Sequence, residues 1–302
     1  MFFVSVWRLV MNKSENIRNT AVATVAGYAT YNTTRKLAKE SLKPYSNWVH
    51  KGLRRYTKDE KALLQSVMND TFNNSGLASK GVKLIDTTPQ NVKQIKTDFA
   101  KKISEVTDNF VKKIYPKYKN SEKTHKLKNK KLDKAFKLTS KGQNAFYHPF
   151  TNNVYVNKKK LPSAVFHELG HALNHNSKGL SKMLSVSRHV MTPIVPLILA
   201  IGVLKRKKNE GEKPVGFMDK VTTFVKDNVG KLAFIALVPQ ISEEALASVK
   251  GAKLAKKVLS PELFKKVNKG NFRAWTTYLV GSLITVGAIK LATHVSDKVR
   301  QK

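Results

Sequence analysis

The sequence predicts an α+β protein that is mostly helical, with a small core of strands and helices to which hydrophobic helices are added. Three observations predict it. Ile95, Phe99, Ile103, Val106, Phe110 and Ile114 recur at three- and four-residue steps, the period of an amphipathic helix, which Pro116 should stop. Two short runs rich in β-branched and aromatic residues, 82–85 and 154–156, read as strands. Stretches 189–204 and 274–289 each run 16 residues without a formal charge, with a shorter apolar patch at 232–242.

In chain order, residues 1–56 are expected to form an N-terminal apolar and basic helical region. Within it, 1–10 are apolar apart from Arg8 and suit an interfacial helix, and 20–31 are rich in the small residues of a packed helix. Residues 57–116 should supply the first strand and the amphipathic helix, and 117–143 a Lys-rich linker. Residues 144–260 should form the rest of the core around an apolar hairpin inserted at 189–242, and 261–302 a C-terminal hydrophobic helix.

One stretch specifies a chemistry: His167-Glu168-Leu169-Gly170-His171. On a helix, positions i and i+4 share a face, so His167 and His171 are expected to bind one Zn2+ ion. Glu168 then lies close enough to take a proton from a water at that ion. The flanks agree. Leu161-Pro162-Ser163 offers a turn, an early-helix proline and a candidate cap. Ala164, Val165, Phe166, Leu169, Ala172 and Leu173 supply the apolar positions of a buried helix. The absence of cysteine leaves only nitrogen and oxygen ligands.

A catalytic zinc takes three protein ligands as a rule. A continuation of the metzincin type is excluded, because Asn174 and Ser177 stand where that pattern needs Gly and His. His175 is one turn beyond His171, but three histidines in successive turns cannot converge on one ion. The better candidate is the run 241–248, Ile-Ser-Glu-Glu-Ala-Leu-Ala-Ser, where an apolar helix carries Glu243 and Glu244 near its expected start. An acid in a first helical turn also complements the helix dipole, so which of the two is the ligand stays open at this level.

Together these motifs resemble the gluzincin clan of zinc metallopeptidases, in which a Glu from a second helix completes an HExxH site. Within the clan the likeness is closest to the membrane-bound HtpX/CAAX-prenyl-protease type, whose second motif reads Glu-Ala-Asp. Glu244-Ala245 matches its first two letters, and Leu246 replaces the third. The resemblance implies that Glu244 is the third ligand and Glu243 a charge at the helix start. Ser248 stands where other gluzincins carry an acid that steadies the first zinc histidine, so a hydroxyl would have to replace a carboxylate. Residues 144–146 and 153–156 are similar to the stretch leading into the family's substrate-binding edge strand, which implies that a peptide adds to residues 153–157. Tyr147, His148 and His175 are candidate oxyanion donors by proximity in sequence. The ImmA/IrrE-type peptidases are a second likeness, sharing HELGH, a following His at the position of His175 and a downstream Glu-Ala. Their motifs lie close together, whereas Glu244 here follows His171 by 73 residues (244 − 171).

What fills that gap favours a membrane. Two apolar segments between the motifs would return the chain to the same side of a bilayer, as ligands on both sides of the insertion require. Each is shorter than the roughly 20 residues of a comfortable span, and Pro193, Pro196 and Pro239 should kink or end helices. Trp275, Tyr278 and Lys290 flank the third run as interfacial anchors. The net charge is +36, and 12 Lys oppose two acids between residues 112 and 141. Such a surface draws anionic lipid or nucleic acid, and aromatic residues are too sparse in that stretch for base stacking, so lipid ranks first. The expectation is a membrane-associated zinc endopeptidase acting on a protein or peptide, in a plasma or inner membrane with its site facing the cytoplasm. The alternatives are a soluble ImmA/IrrE-like regulatory or DNA-associated peptidase, and a noncatalytic membrane protein that retains the motif.

Overall fold

The computed structural model describes residues 17–52, 55–114 and 130–301. Residues 1–16 and 115–129, which include the expected interfacial helix and the first half of the expected linker, lie outside the described residues. The elements are α1 (Ile17–Ser41), α2 (Lys43–Gly52), α3 (Lys58–Asn74), β1 (Lys83–Asp86), α4 (Val92–Ile114), α5 (Lys130–Ser140), β2 (Phe146–His148), β3 (Asn153–Val156), α6 (Ala164–His175), α7 (Leu180–Met191), α8 (Ile194–Leu204), α9 (Gly216–Asp227), α10 (Val229–Val258) and α11 (Pro261–Arg300). They divide into two compact units, and the division falls within α2, α7, α10 and α11.

The unit built from Asn47–Met183 and Glu243–Trp275 contains the sheet and the HExxH helix. Its strand order is β1-β3-β2, with β1 parallel to β3 and β2 antiparallel to it. The two-residue side-chain period of a strand separates two cores. Val154 and Val156 of β3, with Leu84 and Tyr147, join Val165, Phe166, Leu169 and Ala172 of α6 and Leu64 and Met68 of α3. Tyr155, with Ile85 and Phe146, joins Phe99, Ile95 and Ile103 of α4 and Phe136 of α5. Phe136 is fully buried, with its ring centroid 5.2 Å from that of Tyr155. Residues 130–143 are therefore part of the fold and not a solvated linker: on an amphipathic helix, lysines face water while one phenylalanine anchors the core. A capping box starts α3, where Thr57 Oγ1 accepts from the Glu60 N–H and Glu60 accepts from the Thr57 N–H.

The other unit comprises Met1–Ser46, Leu184–Ser242 and Thr276–Lys302. Its core joins Val195, Ile198, Leu199 and Val203 of α8 to Ala233, Ala236 and Leu237 of α10 and Ile289 and Ala292 of α11, with Tyr28 and Tyr31 of α1 against it. The C-terminal carbonyls of α8 would be orphaned, and three side chains satisfy them. Lys226 donates to Gly202 O (2.6 Å), Ser296 to Val203 O (2.8 Å), and Arg300 to Val203 and Leu204 O (2.7 and 2.8 Å). Lys226 is itself paired with Asp297 at 2.7 Å.

The apolar segments differ from the expected short hairpin. Pro193 interrupts the chain between α7 and α8, which bend by 41°. Pro239, by contrast, lies inside a continuous 30-residue α10. Proline costs one backbone hydrogen bond there, and packing on both sides of it holds the helix together: Ala236 and Leu237 before it, Ala247 after it. α10 and the 40-residue α11 are each long and apolar enough to cross a membrane, and the bent α7–α8 pair passes the same test if taken as one span. Phe234, Ile235, Val238, Leu283 and Leu291 are exposed on these two helices.

Candidate metal centre

The site begins with a close approach of two helices. A Cβ on Gly170 of α6 would lie 2.0 Å from the carbonyl oxygen of Ala247 on α10, and one on Gly251 would lie 2.4 Å from the carbonyl oxygen of Phe166. Only residues without a Cβ allow backbones to meet this closely. The paired glycines bring the buried polar face of α6 against the interior of α10.

Across that contact His167 and His171 are each 8% exposed, and Glu243 and Glu244 are 1% exposed. His167 Nε2 is 3.0 Å from His171 Nε2, and Glu244 Oε2 is 3.3 Å from each. Three acceptor atoms so close in a buried place repel one another unless a positive charge lies among them. This is a group that could hold a metal ion. Without one, a proton must serve: burial pushes the His171 pKa down, but Glu244 and Glu243 beside it push it up further, to about 10.

The outer ring nitrogens are also engaged. With Nδ1 protonated, His171 donates to Glu243 Oε1 at 2.8 Å, and His167 Nδ1 lies 3.2 Å from Ser248 Oγ. That tautomer leaves both Nε2 lone pairs directed at Glu244 Oε2. Asn174 Nδ2 holds Glu243 in turn, donating to Oε1 (3.1 Å) and to the backbone oxygen (3.2 Å). Glu168, 7% exposed, accepts the N–H of Tyr147 on β2 at 2.8 Å.

Three expectations need correction. Glu243 and Glu244 lie deep inside α10, which starts at Val229, so no first-turn dipole accounts for them, and Glu243 is the carboxylate that orients His171. Residues 153–156 form the central strand, already paired on both sides, so the free edge beside α6 belongs to β2. The candidate oxyanion donors also separate. His148 stacks edge-on against Phe99 on the far face of the sheet (4.6 Å), and the Tyr147 hydroxyl donates to Asn152 Oδ1 (2.7 Å) while its ring meets that of His175 (5.8 Å). The contact of Ser248 with His167 follows the expected hydroxyl replacement. The role of Glu243 was missed although a signal existed: adjacent acids among apolar helical residues cannot both reach water. Compared with family models, curated proteins and solved structures, the chain has no match.

Proposed function

We propose that this chain is a membrane-bound zinc endopeptidase of gluzincin type. The observation that carries the reading is the triangle of His167 Nε2, His171 Nε2 and Glu244 Oε2, with edges of 3.0, 3.3 and 3.3 Å. A tetrahedral zinc with ligand distances of about 2.0–2.1 Å separates its ligands by roughly 3.3–3.4 Å, so the donor atoms stand at nearly the spacing that the ion requires. Two imidazoles with a single carboxylate also disfavour Ca2+ and Mg2+, which take oxygen. His167, His171 and Glu244 would hold the zinc, and the chemistry supplied by the ion is Lewis acidity, which polarises a scissile carbonyl and acidifies a water.

The chain's own residues do the rest. Glu168 is held by the Tyr147 N–H through one carboxylate oxygen, and the other is left to accept a proton from the attacking water. As the water oxygen bonds to the carbonyl carbon and the C–N bond breaks, Glu168 returns that proton to the leaving amine. Glu243 and Ser248 fix the rings through their Nδ1 atoms, so that Nε2 stays a lone-pair donor. An extended substrate would pair with the outer edge of β2, and backbone pairing of this kind tolerates varied side chains. The length and apolar character of α10 and α11 support the HtpX-like form over the soluble ImmA/IrrE-like one.

The test is Glu168→Gln beside wild type. Metal analysis should give about one zinc per chain in both, while hydrolysis of an unstructured protein substrate disappears in the variant. Undiminished proteolysis by Glu168→Gln would overturn the mechanism, and wild-type protein purified without zinc would overturn the metal.

A further inference from the structure

A groove of about 520 Å3 runs between α10 and α11, lined on one side by Ala245, Ser248 and Val249 and on the other by Lys265, Asn268, Lys269, Phe272 and Trp275. Its volume falls within the roughly 300–1,000 Å3 of pockets that enclose organic ligands. The two sides follow helical spacing, so each helix presents one face to the groove.

The arrangement is amphipathic along its length. Lys265 and Lys269 stand one turn apart at one end, and neither has an ion-pair partner among the described residues. Lys266, between them in sequence, is engaged by Glu60 at 2.7 Å. Phe272 and Trp275 continue the same face towards the uncharged stretch that begins at residue 274. Val249 and Phe272 are 51% and 58% exposed, which is costly in water but not against an acyl chain. The groove thus sits at the step from Lys-rich to charge-free helix, with a tryptophan at the step, where a bilayer places its head groups.

We propose that this groove binds an anionic phospholipid, with its phosphate between Lys265 and Lys269 and one acyl chain over Val249, Phe272 and Trp275. Charge complementarity selects the occupant, because an apolar peptide would give the two ammonium groups no counter-charge and a zwitterionic lipid would bring a choline cation against them. The inference rests on the membrane-bound part of the reading above and not on the metal centre or on any peptidase activity.

The test uses the full chain with Trp7 and Trp48 replaced by Phe, so that Trp275 is the reporter, reconstituted in phosphatidylcholine nanodiscs. Phosphatidylglycerol brominated on its acyl chain should quench Trp275 at least about fivefold more than equally brominated phosphatidylcholine at the same mole fraction, since each Lys near an anionic head group is worth about that factor. The preference should fall to about one in Lys265→Ala/Lys269→Ala and persist in Lys256→Ala/Lys257→Ala, whose exposed lysines lie outside the groove. Equal quenching by the two lipids overturns the proposal. So does a preference that survives the first double variant, or one that the second abolishes equally, because attraction is then diffuse. Quenching by a brominated free fatty acid that matches phosphatidylglycerol would replace the phospholipid with a soluble carboxylate, and failure of the chain to enter nanodiscs would remove the bilayer.

Discussion

At the scale of single residues, the contrast between Glu243 and Glu244 has the sharpest consequences. Both are buried to 1% exposure, yet one faces the two Nε2 atoms and the other a single Nδ1. Glu244→Ala removes one of three donors and should abolish measurable zinc retention. Glu243→Ala leaves the donors in place but frees the His171 ring, so zinc affinity should fall by about 10- to 100-fold. It also leaves the His171 Nδ1–H unpaired, a loss of about 1–3 kcal/mol in stability. Glu243→Gln retains an acceptor oxygen and should recover most of the affinity. Competition with a chromophoric chelator measures all three. Wild-type zinc affinity in Glu243→Ala would mean that the ring is positioned by packing alone.

At the scale of elements, two sets of contacts can be tested, one in each compact unit. The α6–α10 crossing depends on Gly170 and Gly251. Gly170→Ala forces a methyl to 2.0 Å from a backbone oxygen, which only separation of the helices relieves, and should cost at least about 3 kcal/mol and the proposed metal binding with it. Gly281→Ala, in open space on α11, should be neutral or slightly stabilising, and thermal unfolding of the pair would refute the crossing argument if the two variants behaved alike. The loop between α8 and α9 is held by charge: Glu212 accepts from Arg206 in a bidentate pair (2.8 and 2.6 Å), and Lys205 and Lys208 both meet Asp219. Arg206, the Asn209 N–H and Lys208 hold the Glu212 pKa down to about 2. A depressed carboxylate stabilises the fold above its unfolded value near 4.5 and loses that contribution as pH falls through the folded value. The loop should therefore keep its ion pairs through pH 4 and release them only near pH 2, which carboxyl carbon NMR of Glu212 can follow. Titration near 4.5 would show that the pair does not form in solution.

At the scale of the molecule, two helices long enough to span and a net charge of +36 predict two modes of membrane attachment that respond differently to salt. Electrostatic attraction fades as the Debye length shrinks to roughly 3 Å at 1 M salt, whereas inserted helices stay. High salt and alkaline carbonate should leave the protein in the membrane pellet, and detergent should release it. Recovery in the supernatant after the salt wash would reject insertion and return the reading to a soluble peptidase.

The sequence by itself determined whatever depends on short spacing. The i, i+4 histidines, the amphipathic 95–114 helix and the strands near 82–85 and 154–156 all follow from periods of 3.6 and 2, and each lies in the expected element. The run carrying Glu243 and Glu244 was a candidate on residue type alone, and the choice of Glu244, 73 and 77 residues after the two histidines, was reached only through resemblance, since spacing carries no signal at that distance. Tertiary structure alone decided that β3 is central and β2 the free edge, that Phe136 anchors a Lys-rich helix, that α10 continues through Pro239, and that Glu243 belongs to His171. The physical reason is common to all four: each outcome depends on a partner distant in sequence whose packing outweighs the local preference of the residue concerned.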